Sequence, residues 1–185
     1  MALTPSNMIP LGTVAPAFSL LDTVTGNTVS LNELKGEQAT VIMFICNHCP
    51  YVIHVNSELV KLGNDYAAKG VKFIAISSND VVSHPEDSPE KMKQVAAKEN
   101  YAFPYLYDET QSVAKAYDAA CTPDIYIFNK ELKLAYRGQL DDSRPSNKIA
   151  LTGKDVRAAL DCLIEGKQVS PLQRPNIGCN IKWRV

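Results

Sequence analysis

The chain has no long apolar run. Its longest obvious one, Val41–Cys46, falls far short of the roughly 18 residues a membrane-spanning helix needs, so no membrane partner is expected. Clustered positive charge is missing too. The 19 Lys and Arg are scattered against 20 Asp and Glu, for a formal net charge of −1, and the pI is about 6.3. No nucleic acid or other polyanion is expected as a partner. Met1-Ala2-Leu3-Thr4-Pro5 contains no basic region leading into an apolar stretch, the mark of a secretory signal, and a cytoplasmic location is expected. The five cysteines, Cys46, Cys49, Cys121, Cys162 and Cys179, cannot all pair with one another. In a reducing compartment they read as reactive, free or metal-binding thiols rather than as a stapled framework. What remains is 185 residues, 45% hydrophobic and 21% charged, which suits one soluble globular domain over 1–185 with a real core.

Hydrophobic periodicity divides that domain. Residues 1–16 carry Pro5, Pro10, Gly12 and Pro16 and read as an extended lead-in. Ala17–Leu21 and Thr28–Ser30 flank the Thr25-Gly26-Asn27 turn signal as a short hairpin, and Ser30 can cap a brief helix through Leu34. Ala39–Ile45 is apolar and β-branched throughout, as in a strand buried on both faces. From Tyr51 to Lys69, Val52, Val55, Leu59, Leu62 and Tyr66 recur at helical spacing before Gly70, and Val71–Ser77 is a second buried strand. A loop over 78–87 precedes a helix begun by Ser88-Pro89-Glu90, and a short helix covers Thr110–Tyr117. Strands at 125–128 and 132–136 and an amphipathic helix at Thr152–Ile164, ended by Gly166, complete the pattern. Strands alternating with helices, then a hairpin and helix, mean a three-layer α/β/α domain with a central mixed sheet and an N-terminal β-hairpin extension.

Cys46-Asn47-His48-Cys49-Pro50 stands where the core strand ends and a helix begins. Unpaired N–H groups and the helix dipole favour a thiolate there, and the thiolate is the nucleophile of disulfide exchange. Two cysteines two residues apart let one attack a disulfide and the other resolve the intermediate. His48, if protonated, would add positive charge beside the thiolate; alternatively it is an ordinary first-turn histidine. Structural zinc would need a second close ligand pair, which Cys121, Cys162 and Cys179 do not form in sequence, so no metal is expected.

Ala15-Pro16-Ala17-Phe18-Ser19-Leu20, the Gly26 turn, Val29-Ser30-Leu31 and the strand, Cys motif and helix that follow resemble the redoxin branch of the thioredoxin superfamily. That branch holds peroxiredoxins and thioredoxin-like thiol-disulfide oxidoreductases. The resemblance runs from about Gly12 to Gly166, leaving 167–185 as a C-terminal tail. It implies a thioredoxin fold and a cis-proline opposite the dithiol, whose preceding backbone pairs with bound substrate. Thr122-Pro123 matches that place and forms the expected substrate groove. Cys121 would then approach the dithiol, either to resolve an intermediate or, the favoured reading, to pack as a small hydrophobe. Cys162 is expected to be buried on the last helix, and Cys179 lies in the tail beyond the matched region, where nothing in the sequence supports a role as a distant redox partner.

The pattern also breaks. Peroxiredoxins carry a threonine three residues before the peroxide-reactive cysteine, and aligning Cys49 with that cysteine puts Cys46 in the threonine's place. Arg137 is a possible counterpart of the peroxide-activating arginine or an ordinary strand arginine. Thioredoxins have tryptophan before the first cysteine; here Ile45 stands there, and the only tryptophan is Trp183. His84 reads as a solvated loop histidine in a polar stretch bordering the site, and Asp141-Asp142-Ser143-Arg144 as a surface ion-pair loop. The first expectation is a thiol-disulfide oxidoreductase with Cys46 attacking and Cys49 resolving. Its substrates would be protein or small-molecule disulfides, its reductant a dithiol, and it would need no cofactor. The alternatives are a peroxide reductase, with Cys49 oxidised and Cys46 condensing on it, and a noncatalytic metal-binding or interaction module.

Overall fold

The computed structural model describes residues 3–184; Met1 and Ala2 of the lead-in, and Val185, lie outside the described residues. The lead-in is not wholly irregular, since Leu3–Pro5 forms a first strand, β1. β2 (Ser19–Asp22) and β3 (Thr28–Ser30) make the expected hairpin. Ser30 then starts α1 (Leu31–Leu34) with a capping box, in which the Glu33 carboxylate accepts the Ser30 N–H at 2.8 Å. β4 (Ala39–Phe44) is fully buried, and α2 (Pro50–Ala67) follows the Cys motif. β5 (Val71–Ser77) leads into a 3-10 turn at Pro85–Asp87 and then α3 (Pro89–Glu99), which ends on Asn100 in the left-handed region.

β6 (Tyr105–Tyr107) has no counterpart in the sequence reading. α4 (Ser112–Ala116), β7 (Cys121–Thr122), β8 (Asp124–Asn129), β9 (Leu134–Arg137) and α5 (Lys154–Ile164) follow. The chain then forms one more strand, β10 (Ile177–Asn180), inside the expected tail.

Seven strands make the central mixed sheet in the order β3-β2-β6-β5-β4-β8-β9, with β4 parallel to β5 and antiparallel to β8. The N-terminal hairpin is thus part of this sheet, joined to it through β6. Alternation along β4 builds two cores. Val41 and Met43 face Val52, Leu59 and Leu62 of α2, Met92 of α3 and Leu160 of α5. Ile42 and Phe44 face Leu31 of α1 and Val113 of α4 on the other side, completing three layers. Full burial of each such side chain stabilises the fold by about 1.5–3 kcal/mol over exposure. Among the described residues no helix is long and apolar enough to cross a membrane.

A second sheet, β1-β10-β7, lies where β4 delivers the Cys motif. Cys179 is paired with Leu3 on one side and Thr122 on the other.

Candidate active site

β4 ends at Phe44, and the Ile45 N–H still bonds to the Ile76 carbonyl at 2.9 Å, so the chain reaches Cys46 from a rigid strand. Cys49 is the N-cap of α2 and Pro50 its first residue, where a missing N–H costs nothing. The turn between them is pinned from outside. The Asn47 N–H donates to Asp87 Oδ1 at 2.8 Å, its side-chain amide donates to the Glu86 carbonyl at 2.8 Å, and Tyr105 Oη donates to Asn47 Oδ1 at 3.1 Å.

The Thr122–Pro123 bond is cis, and Thr122 faces both cysteines. Its hydroxyl lies 3.5 Å from Cys46 Sγ, and its carbonyl oxygen lies 3.2 Å from Cys49 Sγ, within reach of the neutral thiol as donor. Cys46, Cys49 and Cys179 are all buried, at 2%, 0% and 3% exposure. Cys179 Sγ stands 2.8 Å from Cys49 Sγ. Sequence reasoning left Cys179 without a role, yet the fold makes it the nearest described neighbour of the dithiol from outside the motif.

Electrostatics separates the two motif cysteines. The Cys49 thiol is pulled down to about 5, first by a hydrogen bond from Cys46 and further by Cys179, Thr122 and the Val52 N–H in the first turn of α2, against the cost of burial. Cys46 is pushed up, by its hydrogen bond to Cys49, by burial and by the nearby Asp87 carboxylate. Cys179 is raised to about 12 by burial and then by its bond to Cys49. These opposite directions favour the charge on Cys49 over Cys46 and Cys179. The sequence reading has Cys46 attack and Cys49 resolve; these directions favour Cys49 as the thiolate instead.

Asp87 is the carboxylate that sequence reasoning placed only in a loop bordering the site. It is fully buried, accepts from Asn79 Nδ2 at 2.8 Å and lies 2.7 Å from His48 Nδ1. Its pKa stays low although burial opposes this, because His48 and Asn79 favour the charged form. His48 is raised, chiefly by Asp87. The imidazolium charge is thus answered by Asp87 rather than aimed at the thiolate. His84, expected to be a solvated histidine, instead stacks on His48 with ring centres 5.2 Å apart.

Arg137 and Cys121 fall outside this cluster. Arg137 is fully buried, pairs with Asp124 at 3.0 Å, donates to the Asp118 carbonyl at 2.9 Å and lies over the Tyr126 ring at 4.3 Å. Cys121 Sγ has Ser6 Oγ at 3.8 Å and the Pro123 carbonyl at 3.5 Å as its polar neighbours. Cys162 is half-buried, not buried, because it lies off the Val156–Ala159–Leu160 stripe of α5. It lines a cleft of about 370 Å³ that excludes Cys46, Cys49 and Cys179. The 141–144 segment is not a plain surface loop either: Asp141 is buried and accepts the Thr152 and Gly153 N–H groups at 2.6 and 2.7 Å, at the start of α5.

Two further features bear on what the site can do. Cys46 Sγ, His48 Nδ1 and an Asp87 oxygen lie within 4.8 Å of one another, a mixed set able to take a borderline cation such as zinc. The expectation of no metal rested on cysteine spacing alone and did not foresee this set. The backbone before Pro123, where the resemblance puts bound substrate, is already hydrogen-bonded to β10 of the same chain.

A model described as the AhpC/TSA family matches residues 11–137. The chain is 62% identical to an uncharacterized conserved protein from Geobacillus kaustophilus, covering 100% of this chain and 97% of that one, with a TM-score of 0.98. It is 47% identical to a hypothetical protein from Sinorhizobium meliloti, over 98% and 99% of the two chains, with a TM-score of 0.96. A putative thioredoxin from Neisseria meningitidis is 25% identical over 84% and 93%, with a TM-score of 0.64. No curated protein matches the chain.

Proposed function

The chain belongs to the AhpC/TSA family, and from that premise we propose that it is a thiol-disulfide oxidoreductase working through Cys46 and Cys49. One observation carries the reading: Cys46 and Cys49 flank the turn into α2 and both sulfurs meet Thr122 of the cis-proline segment, at 3.5 and 3.2 Å. The Cys49 thiolate attacks a disulfide sulfur, the far sulfur leaves, and Cys46 then attacks Cys49 to close the internal disulfide and release the second thiol. This reverses the order expected from the sequence. Asp87 suits the order, since a carboxylate beside Cys46 keeps it protonated as donor until exchange begins.

Burial of both sulfurs favours small disulfides over protein ones, which would have to displace β10 from Thr122. A dithiol protein or small dithiol would return the electrons. A cytoplasmic setting belongs to the same proposal, because five cysteines without a paired pattern suit a reducing compartment. The family also supports a second reading, a peroxide reductase, favoured by a buried thiolate that a small oxidant could reach. Cys46 in the threonine's place and the engagement of Arg137 with Asp124 count against it.

The test compares wild type, Cys46→Ser and Cys49→Ser in reaction with a small disulfide and with hydrogen peroxide, followed by stopped flow. Disulfide exchange lost in Cys49→Ser, and halted at a mixed disulfide on Cys49 in a Cys46→Ser/Cys179→Ser protein, is the expected result. Fast peroxide consumption dependent on Cys49 would replace it with the second reading. Tightly bound zinc with no titratable disulfide would overturn both.

A further inference from the structure

We propose that Cys179 is a third redox cysteine of this site, placed by the terminal strand so that the disulfide formed at Cys46–Cys49 can pass to Cys49–Cys179. The inference rests on the disulfide-exchange reading and extends it to a residue far along the chain.

Position is the first argument. The two sulfurs stand 2.8 Å apart although their residues are 130 positions apart in sequence. A disulfide bond is about 2.05 Å long, so bonding asks for a closure of under about 1 Å. Both partners are buried, so an external thiol is poorly placed to compete.

The second argument is that the fold builds this approach rather than leaving a loose tail against the site. β10 is hydrogen-bonded on both edges, Cys179 opposite Leu3 and opposite Thr122. Gly178 lets it come close: a Cβ there would run into the Thr122 carbonyl. The flanks are tied as well. The Asn176 amide donates to the Pro123 carbonyl, and the Ile181 N–H to the Ala120 carbonyl at 3.2 Å. Asn79 joins tail and site directly, accepting the Lys182 N–H at 2.8 Å while donating to Asp87 at 2.8 Å.

The step balances within three sulfurs. Starting from the Cys46–Cys49 disulfide, Cys179 gives up its proton and its sulfur attacks the Cys49 sulfur. The Cys46–Cys49 bond breaks, the Cys49–Cys179 bond forms, and Cys46 leaves as thiolate and takes the proton. One disulfide and one thiol are present before and after, so no outside oxidant or reductant is consumed. The disulfide then ties β10 to α2 across the Thr122 backbone, and a reductant would have to act on the tail.

The experiment uses the full-length Cys46→Ser protein, reduced, then treated with glutathione disulfide. Cys49 attacks, releasing one glutathione, and Cys179 resolves the mixed disulfide, releasing a second. The expected result is two glutathiones released per chain, and a non-reduced digest in which the tryptic peptide 36–61 is joined to 168–182. Cys46→Ser/Cys179→Ser should stop at one glutathione, held on Cys49. A Cys46→Ser protein that folds normally by circular dichroism and also stops there, while wild type still closes Cys46–Cys49, overturns the proposal and leaves the oxidoreductase reading standing. Should Cys46→Ser unfold, Cys46→Ala carries the same test. A wild type that forms no internal disulfide at all removes both.

Discussion

Two buried anions lie on either side of the Thr122–Pro123 bond, and they are held in opposite ways. Asp124 has a guanidinium, Arg137, at 3.0 Å, and accepts from Ser6 Oγ at 2.8 Å and the Ala120 N–H at 3.1 Å. Burial nevertheless pushes its carboxyl pKa up. Cys49 is held instead by thiol, hydroxyl and amide groups, and its pKa falls to about 5. The difference is one of commitment. A carboxylate matched by a fixed guanidinium is a strut between strands, whereas a thiolate beside other thiols has neighbours that can exchange with it once it has entered a disulfide.

The largest effect expected from this contrast is on the strut. Arg137→Met would leave the Asp124 carboxylate buried without its cation, at a cost of about 3–5 kcal/mol. Adding Asp124→Asn should restore part of that loss. Urea unfolding of the reduced proteins measures both. Cys49 should keep its rate of alkylation by iodoacetamide in whatever fraction stays folded. If Arg137→Met slows Cys49 instead and leaves stability intact, Arg137 belongs to the redox site and the contrast fails.

The strut and the thiolate were not equally legible in the sequence. β4, α2 and the Cys motif between them could be read because each carries a local signal: a continuous β-branched run, a helical apolar stripe, a proline at the first turn. The hairpin and the Ser30 cap of α1 were legible for the same reason; the Glu33 half of its capping box was not read. Ile177-Gly178-Cys179-Asn180 carries none. It is four residues long with a glycine inside, and its partners are residues 3–5 and 121–122, so only the fold makes it a strand. Asp87 was visible as part of a polar loop, but nothing local says which carboxylate of Glu86 and Asp87 turns inward. Arg137 was legible as a strand residue. Its partner became plain only when β8 and β9 lay side by side, with Tyr126 opposite Arg137.

A smaller perturbation sharpens the thiolate side. Gly178→Ala adds a methyl where the Thr122 carbonyl stands, and should cost about 1–3 kcal/mol by forcing β10 away from β7. Thermal unfolding reports that cost. The same shift moves Cys179 off Cys49, so glutathione release from Cys46→Ser/Gly178→Ala should fall from two toward one per chain. A stable Gly178→Ala protein with unchanged release would mean that the close backbone approach does not position the sulfur.

The least costly test is a pH scan, and its sign follows from the directions of the shifts. Cys49 has a folded-state value of about 5, below the ordinary thiol range near ~8.5. Its ionisation therefore stabilises the reduced fold increasingly from about pH 5 up to that range, and the contribution disappears as pH falls through about 5. Cys46 and Cys179 are raised, so above the ordinary thiol range the unfolded chain loses protons that the folded one retains, and stability declines again. The reduced protein should thus gain stability over the oxidised one between about pH 5 and the ordinary thiol range, then lose it. Asp124 cannot produce this profile, since its raised carboxyl makes the fold less stable as pH climbs through the carboxylate range, in reduced and oxidised protein alike. Subtracting the two oxidation states isolates the sulfurs. Cys46→Ala, which removes the neighbouring thiol of the motif, should move the acid limb of the reduced protein's own profile upward; an unmoved limb would assign the thiolate to another cysteine.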